Sequence, residues 1–367
     1  MMDFTSFTDT PEQADLREVL RDFLAQHGTP AKVRQAMASP AGYDDATWKR
    51  LTGELGLTAL AVPEEHGGVG ATLAEVAVAV EELGRVLLPV PYLSTALAAA
   101  LLAEAATSTA TPADSISQAA ERFLPGLAGG GLIGALAFGP GVTTFSGGRL
   151  SGTVRHVLDG PQADVFLVRA SGALVAVRAA DTAVSPVGTL DQTRGQATVS
   201  FRDAPALRVS PEDDGGALAS RAEDLTRAFL AAESAAAAGQ CLAATVEYLK
   251  TRVQFGRPIG EFQALKHRCA DLAVEVESAR MTAHAAVRAA VADPDGFAVA
   301  APLAKRYCAD VFFHAAAEMI QLHGGIGFTW EHDAHLYLKR AKSTQLLHGT
   351  PSELRTLIGR RAGLLPA

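Results

Sequence analysis

Residues 341–350 read AKSTQLLHGT, a run that sets the imidazole of His348 directly before a glycine. Histidine changes charge near neutral pH and is a competent general base there. A second group of residues is cationic and glycine-rich. Arg252 lies in TRVQFGRPIGEFQ at residues 251–263, and Gly324-Gly325 lies in QLHGGIGF at residues 321–328. A guanidinium presents a planar set of donors to a phosphate or pyrophosphate, and paired glycines let backbone approach such a group without a Cβ in the way. The plainer reading of Arg252 is a solvated charge facing the last carbonyls of a helix. Asp224 and Arg227, in DLTR, put a carboxylate and a guanidinium three residues apart near the start of a helical stretch. The first turn of a helix favours an acid in any case, so Asp224 has a structural reading of equal weight. WEHDAH at residues 330–335 places His332, Asp333 and His335 within four residues. Their spacing suits Asp333 as the cap of a helix carrying Leu336, Tyr337 and Leu338 better than it suits a metal.

The elements that position these residues fall into three regions. Residues 10–106 are helical in pattern: Leu16, Val19, Leu20 and Phe23 form an amphipathic stripe, and Asp44 or Asp45 caps a second helix through Trp48 and Leu51. The run 63–70 holds too many glycines for a helix and reads as a loop. Residues 86–103 carry no charge, but Pro89, Pro91, Ser94 and Thr95 interrupt them, so a buried helix entered through a Pro-containing turn is expected instead of a membrane span. Between about residues 123 and 209, short apolar runs at 132–138, 165–168, 174–177 and 197–201 alternate with Gly, Ser and Pro signals, which argues a small β-sandwich or barrel. Helical stretches then cover 218–251, 261–292 and 299–322, with a fourth after Asp333, as in a four-helix bundle. The expected domains are 1–122, 123–215 and 216–367.

The chain has 367 residues, and a net charge of −8 argues against a nucleic-acid surface. Cys241, Cys269 and Cys308 lack metal-ligand spacing and read as buried thiols of a reducing, cytoplasmic compartment; the polar, acidic N-terminus does not read as a secretory signal.

The order helix, β, helix bundle, together with these motifs, resembles the acyl-CoA dehydrogenase family over nearly the whole chain. Residues 251–263 are similar to its R-x-x-F-G segment, residues 321–328 to its Q-x-x-G-G-x-G segment, and LTALAVPEEHGG at 57–68 to its N-terminal loop. The resemblance implies a mainly α fold with a middle β-domain, FAD as cofactor, an acyl-CoA thioester as substrate, and electron-transfer flavoprotein as electron partner. It also implies that Arg252, Gln254, Phe255, Gln263, Gln321, Gly324, Gly325 and Thr350 bind flavin, most of them reaching across an oligomer interface to a neighbour's FAD. Asp224 and Arg227 would lie on the substrate side, with Arg227 near the active-site loop.

Residues 341–350 match the family's A-K-x-x-Q-x-x-E-G-T without a gap, with His348 in place of the catalytic Glu. The alternative position for that acid is Thr226, which cannot act as a base without a partner to deprotonate it. GALAFGPG at 134–141 and LSGTVRHVLDG at 150–160 stand where the family carries its own-flavin segment and its tryptophan-bearing roof strand. The expectation is therefore the non-catalytic subunit of a heteromeric acyl-CoA dehydrogenase, lending flavin contacts to a homologous catalytic chain. Two alternatives stay open: a homo-oligomeric flavoenzyme of this superfamily with His348 as base or with monooxygenase or desulfinase chemistry, and a non-enzymatic acyl-CoA binding protein.

Overall fold

The structure, a computed structural model, describes residues 9–107, 114–212 and 214–366. The chain order is a helical N-terminal region, a middle curled β-sheet and a helical C-terminal region. The N-terminal helices are α1 (Pro11–His27), α2 (Pro30–Met37), α3 (Asp45–Lys49), α4 (Leu73–Arg85), α5 (Tyr92–Thr107) and α6 (Asp114–Ala128). By packing, the chain forms two units: residues up to Arg34, 77–88 and from 227 onward make the first, and 35–76 with 89–226 make the second.

In the second unit, α3 starts as the sequence predicts. The Asp44 carboxylate accepts the Thr47 N–H at 2.9 Å, satisfying one of the donors that a helix start leaves open. The run 63–70 is irregular apart from one short turn, Glu64–His66. Helix α5 is the buried helix expected after the prolines. It has no polar face, and thirteen of its residues are buried. Removing Leu97 or Leu101 from such surroundings costs about 2–5 kcal/mol.

The sheet has strands β1 (Gly134–Ala137), β2 (Gly141–Ser146), β3 (Arg149–Leu158), β4 (Val165–Ala170), β5 (Ala173–Arg178), β6 (Ala183–Val187) and β7 (Gln196–Arg208). Its order is β1-β4-β5-β7-β3-β2, with β6 also on β7, and only the β1–β4 pair is parallel among these strands. Strand β7 makes the curl. Its residues 206–208 pair with β5, while residues 196–205 pair with β3, which bulges at two points along the ladder. The sheet then bends back until Thr143 of β2 donates to the Arg169 carbonyl of β4. Phe166, Val175, Val199 and Phe201 fill the enclosed core.

In the first unit, α7 (Ala217–Thr251) enters at Arg227 and is followed by the hairpin β8 (Val253–Gln254) and β9 (Arg257–Pro258). Helices α8 (Gln263–Ala292), α9 (Pro294–His323), α10 (Ala334–Leu346) and α11 (Pro351–Arg361) complete it. At Gly84 a Cβ would lie 2.2 Å from Glu233 Cγ, so only glycine lets α4 approach α7 so closely.

Several local expectations are corrected. Val19 is 49% exposed, and the buried line of α1 runs through Leu20 and Leu24. Helix α9 begins at Pro294, five residues before the predicted 299, because Asp293 caps it and accepts the Gly296 N–H. Asp224 sits about two turns inside α7, beyond the reach of the helix-start field that its structural reading invoked. Asp333 does not cap α10; Arg34 takes its carboxylate at 2.6 Å, and His332 Nδ1 accepts the Ala334 N–H in its place. Cys241 and Cys308 are buried, whereas Cys269 is partly exposed.

Candidate functional site

The loop 347–350 joins α10 to α11, and both of its ends are fixed. Thr350 and Glu353 form a capping box: the Thr350 hydroxyl accepts the Glu353 N–H, and the Glu353 carboxylate accepts the Thr350 N–H at 2.8 Å. With Pro351 at the first helical position, this is the sequence signature of a strong helix start. These hydrogen bonds hold the Glu353 carboxyl below the usual carboxylate range. Just before it, Gly349 has φ +118 and packs against Leu354. His348 is left in the left-handed region with φ 55, where a side-chain-bearing residue sits at a cost of about 1–2 kcal/mol.

Arg227 reaches this loop from α7. Its Nε donates to the His348 carbonyl at 3.1 Å. Preceding it on the helix, Thr226 is buried, and its hydroxyl donates to the Ala222 carbonyl at 2.9 Å. Thr226 therefore offers no exposed oxygen to a substrate. Asp224 is also buried. A cavity of about 490 Å³ opens beside the loop, lined by Arg227, Gly349, Ser352, Thr356, Leu357 and Arg360 among others. Two guanidinium groups, two hydroxyls and the Glu353 carboxylate make it a pocket of mixed charge suited to a strongly polar group.

The second cluster lies around the C-terminal ends of α7 and α9. Arg252, Gln254, Phe255 and Gln263 are all exposed, as are Gln321, Gly324 and Gly325. The β8–β9 hairpin turns through Phe255 (φ 54) and Gly256 (φ 79), the double left-handed geometry of a two-residue turn. This leaves the Phe255 ring 92% exposed at the tip, and Phe328 is 83% exposed beyond the other segment. The two segments meet through Tyr248 in the last turn of α7, whose ring stacks on His323 at the end of α9 with centroids 4.3 Å apart. Gly324 needs its glycine for φ +64. At Gly325 the backbone is ordinary and an added Cβ would meet no atom within 4 Å. Among the described residues nothing requires glycine there, which fits close approach by an outside molecule. An exposed guanidinium, exposed amides and a bare glycine turn are donors that suit a phosphate-bearing ligand.

Other histidines fall into structural roles. His284 pairs with Glu81 at 3.1 Å and His314 with Glu275 at 2.7 Å. Among the described residues no group of three His, Cys, Asp or Glu side chains is placed to hold a metal. The sequence reading missed the role of His323 and His332, whose rings lie 4.4 Å apart. The only signal for it was the histidine beside the Gly-Gly pair.

Comparison with known proteins agrees with this architecture. Residues 10–130 match the family description "Acyl-CoA dehydrogenase, N-terminal domain", and residues 213–363 match "Acyl-CoA dehydrogenase, C-terminal domain". Acyl-CoA dehydrogenase IpdE2 of Mycobacterium tuberculosis is 41% identical over 351 residues, covering 95% of this chain and 97% of that protein. Among solved structures, a chain in the crystal structure of the ChsE4-ChsE5 complex from Mycobacterium tuberculosis superposes with a TM-score of 0.87 at 28% identity, covering 100% of this chain and 100% of that one. A Tcur3481-Tcur3483 steroid ACAD variant gives 0.85 at 29% identity, covering 96% of this chain and 98% of that one. On its motifs, its architecture and these matches, the chain belongs to the acyl-CoA dehydrogenase family of flavoprotein oxidoreductases.

Proposed function

We propose that this chain is the subunit without a catalytic acid in a heteromeric, FAD-dependent acyl-CoA dehydrogenase. The observation that carries the reading is that neither family position for the base offers a carboxylate. His348 stands at one, and at the other the Thr226 hydroxyl is buried against the Ala222 carbonyl. Meanwhile the residues for a neighbour's flavin are all on the surface: Arg252 to meet the pyrophosphate, Gln254, Gln263 and Gln321 as amide partners, and Gly324-Gly325 to admit it closely. When bound, the flavin supplies the hydride acceptor for α,β-desaturation of the thioester. This chain's share is to bind and orient the dinucleotide and to close the interface with Phe255 and Phe328. The solved relatives support a two-chain assembly, one being a complex of ChsE4 with ChsE5 and the other described as a Tcur3481-Tcur3483 steroid ACAD. By the same likeness, the acyl group handled is a bulky, steroid-derived ring system, with electron-transfer flavoprotein taking the electrons onward.

The partial exposure of His348, with its neighbour Gly349 on the wall of the 490 Å³ cavity, favours a second reading in which its imidazole is the base. Purification of the chain alone, and together with a co-expressed homologue carrying the glutamate, tests the proposal. The expected result is little flavin absorbance alone, with one FAD per heterodimer and dehydrogenase turnover together. One FAD per chain and full turnover in the chain alone would overturn it.

A further inference from the structure

Three rings meet beside the exposed glycine turn, the first pair stacked and the second tilted. Tyr248 stacks on His323 at 4.3 Å with 24° between planes, and His323 meets His332 at 4.4 Å and 50°. Each histidine is pinned by its other contacts. His323 Nδ1 lies 2.7 Å from the Met319 carbonyl, which can only accept, so the proton sits on Nδ1. His332 Nδ1 accepts the Ala334 N–H at 3.1 Å, so that nitrogen is bare. Burial holds both imidazoles below their ordinary value, which keeps them neutral at pH 7 and lets the rings pack without charge repulsion.

The stack joins segments far apart in sequence. The Tyr248 carbonyl accepts the Arg252 N–H at 2.9 Å, one helical turn on. His323 directly precedes Gly324, and a Cβ at Gly327 would come within 3.1 Å of His323 Cβ, so the turn is seated on that residue. His332 lies two residues before α10. The Tyr248–His323 ring contact thus links the helix end that leads to Arg252 with the residue that leads into the glycine turn.

We infer that Tyr248, His323 and His332 are positioning residues: their stack fixes the spacing of Arg252 from Gly324-Gly325 so that both meet one dinucleotide. This rests on the flavin-lending reading above. The three rings act through the segments they hold and are not catalytic residues.

FAD titration of the flavin-stripped complex between this chain and its co-expressed catalytic homologue tests the inference. Tyr248→Ala is expected to raise the Kd for FAD roughly threefold to tenfold, as loss of a stacked ring contact does. Tyr248→Phe keeps the ring and is expected to stay within about twofold, a rescue that tracks the stack and not the hydroxyl. Should Tyr248→Ala fail to fold, Tyr248→Leu keeps the apolar volume without the plane and carries the same expected loss. Arg252→Ala separates two kinds of failure. If it weakens FAD binding while neither Tyr248→Ala nor Tyr248→Leu does, the positioning role is wrong. If Arg252→Ala also leaves the Kd unchanged, the flavin-lending reading falls with it.

Discussion

The Arg227 guanidinium donates from Nε to the backbone carbonyl of His348 at 3.1 Å. Because the bond goes to main chain, it holds the α10–α11 loop whatever side chain stands at position 348. The loop can therefore keep its shape while the acid expected there is absent. Removing the guanidinium leaves a carbonyl without that donor, which costs about 1.5–3 kcal/mol for a charge-assisted bond. Arg227→Ala should lower the thermal midpoint accordingly, measured by calorimetry, and Arg227→Lys should not restore it, because an ammonium on a flexible stem does not reproduce the Nε donor.

Backbone at His348 gives a second prediction. With φ 55, the position suits glycine and punishes a β-branched residue. His348→Gly should leave stability within about 1 kcal/mol of the parent, whereas His348→Ile should lose about 1–2 kcal/mol or more, read from denaturant midpoints. Equal losses for the two would show that the ring's own contacts, and not the backbone, dominate.

The Arg340–Glu233 pair joins α10 to α7 at 2.7 Å with side chains 3% and 9% exposed. Glu233→Ala takes a carboxylate away from a guanidinium that has almost no access to water. The expected cost is about 3–5 kcal/mol, and replacing both partners by apolar residues of similar size should cost less than that single change. Urea unfolding of the three variants checks the order.

Stability should fall in two steps as pH is lowered. Burial depresses His323, His332 and His335, so the unfolded chain takes up protons first once the pH passes below the ordinary value of 6.5. Folding weakens from there. For Asp9 and Glu82 burial alone would raise the pKa, but Arg17 on Asp9, and Arg21, Arg85 and Arg17 on Glu82, outweigh it and hold both below their ordinary values of 3.8 and 4.5. Their stabilisation is complete above those values and is lost as pH falls through the lower, folded ones. Thermal midpoints from pH 8 to pH 3 should show both declines, and His335→Phe should shrink the first without touching the second.

How much of this was legible in the sequence depended on how locally each feature is determined. Helix α5 declared itself because its residues are apolar all round, and Asp44 declared the start of α3 because a cap needs only its own first turn. Strand β2 did not: it is an edge strand with no buried residue and with Val142 on the surface, so it carries no apolar alternation to find. Strand β7 looked short because only residues 197–201 form an apolar run, whereas its pairing continues to Arg208. Asp333 misled for the opposite reason. Its spacing suits a cap, but Arg34, 299 positions away, claims the carboxylate. The ring stack of Tyr248, His323 and His332 likewise joins residues 75 and 9 positions apart, and spacing alone does not reveal such a contact.

The turnover number of the assembled heteromer with His348→Ala in this chain and the catalytic partner unchanged decides whether His348 is the base. With the base supplied by the partner, kcat should stay within about twofold of the parent, since loss of a true general base costs on the order of a hundredfold or more. A fall of that larger size, with FAD content and oligomeric state intact, would contradict that expectation and make His348 the base.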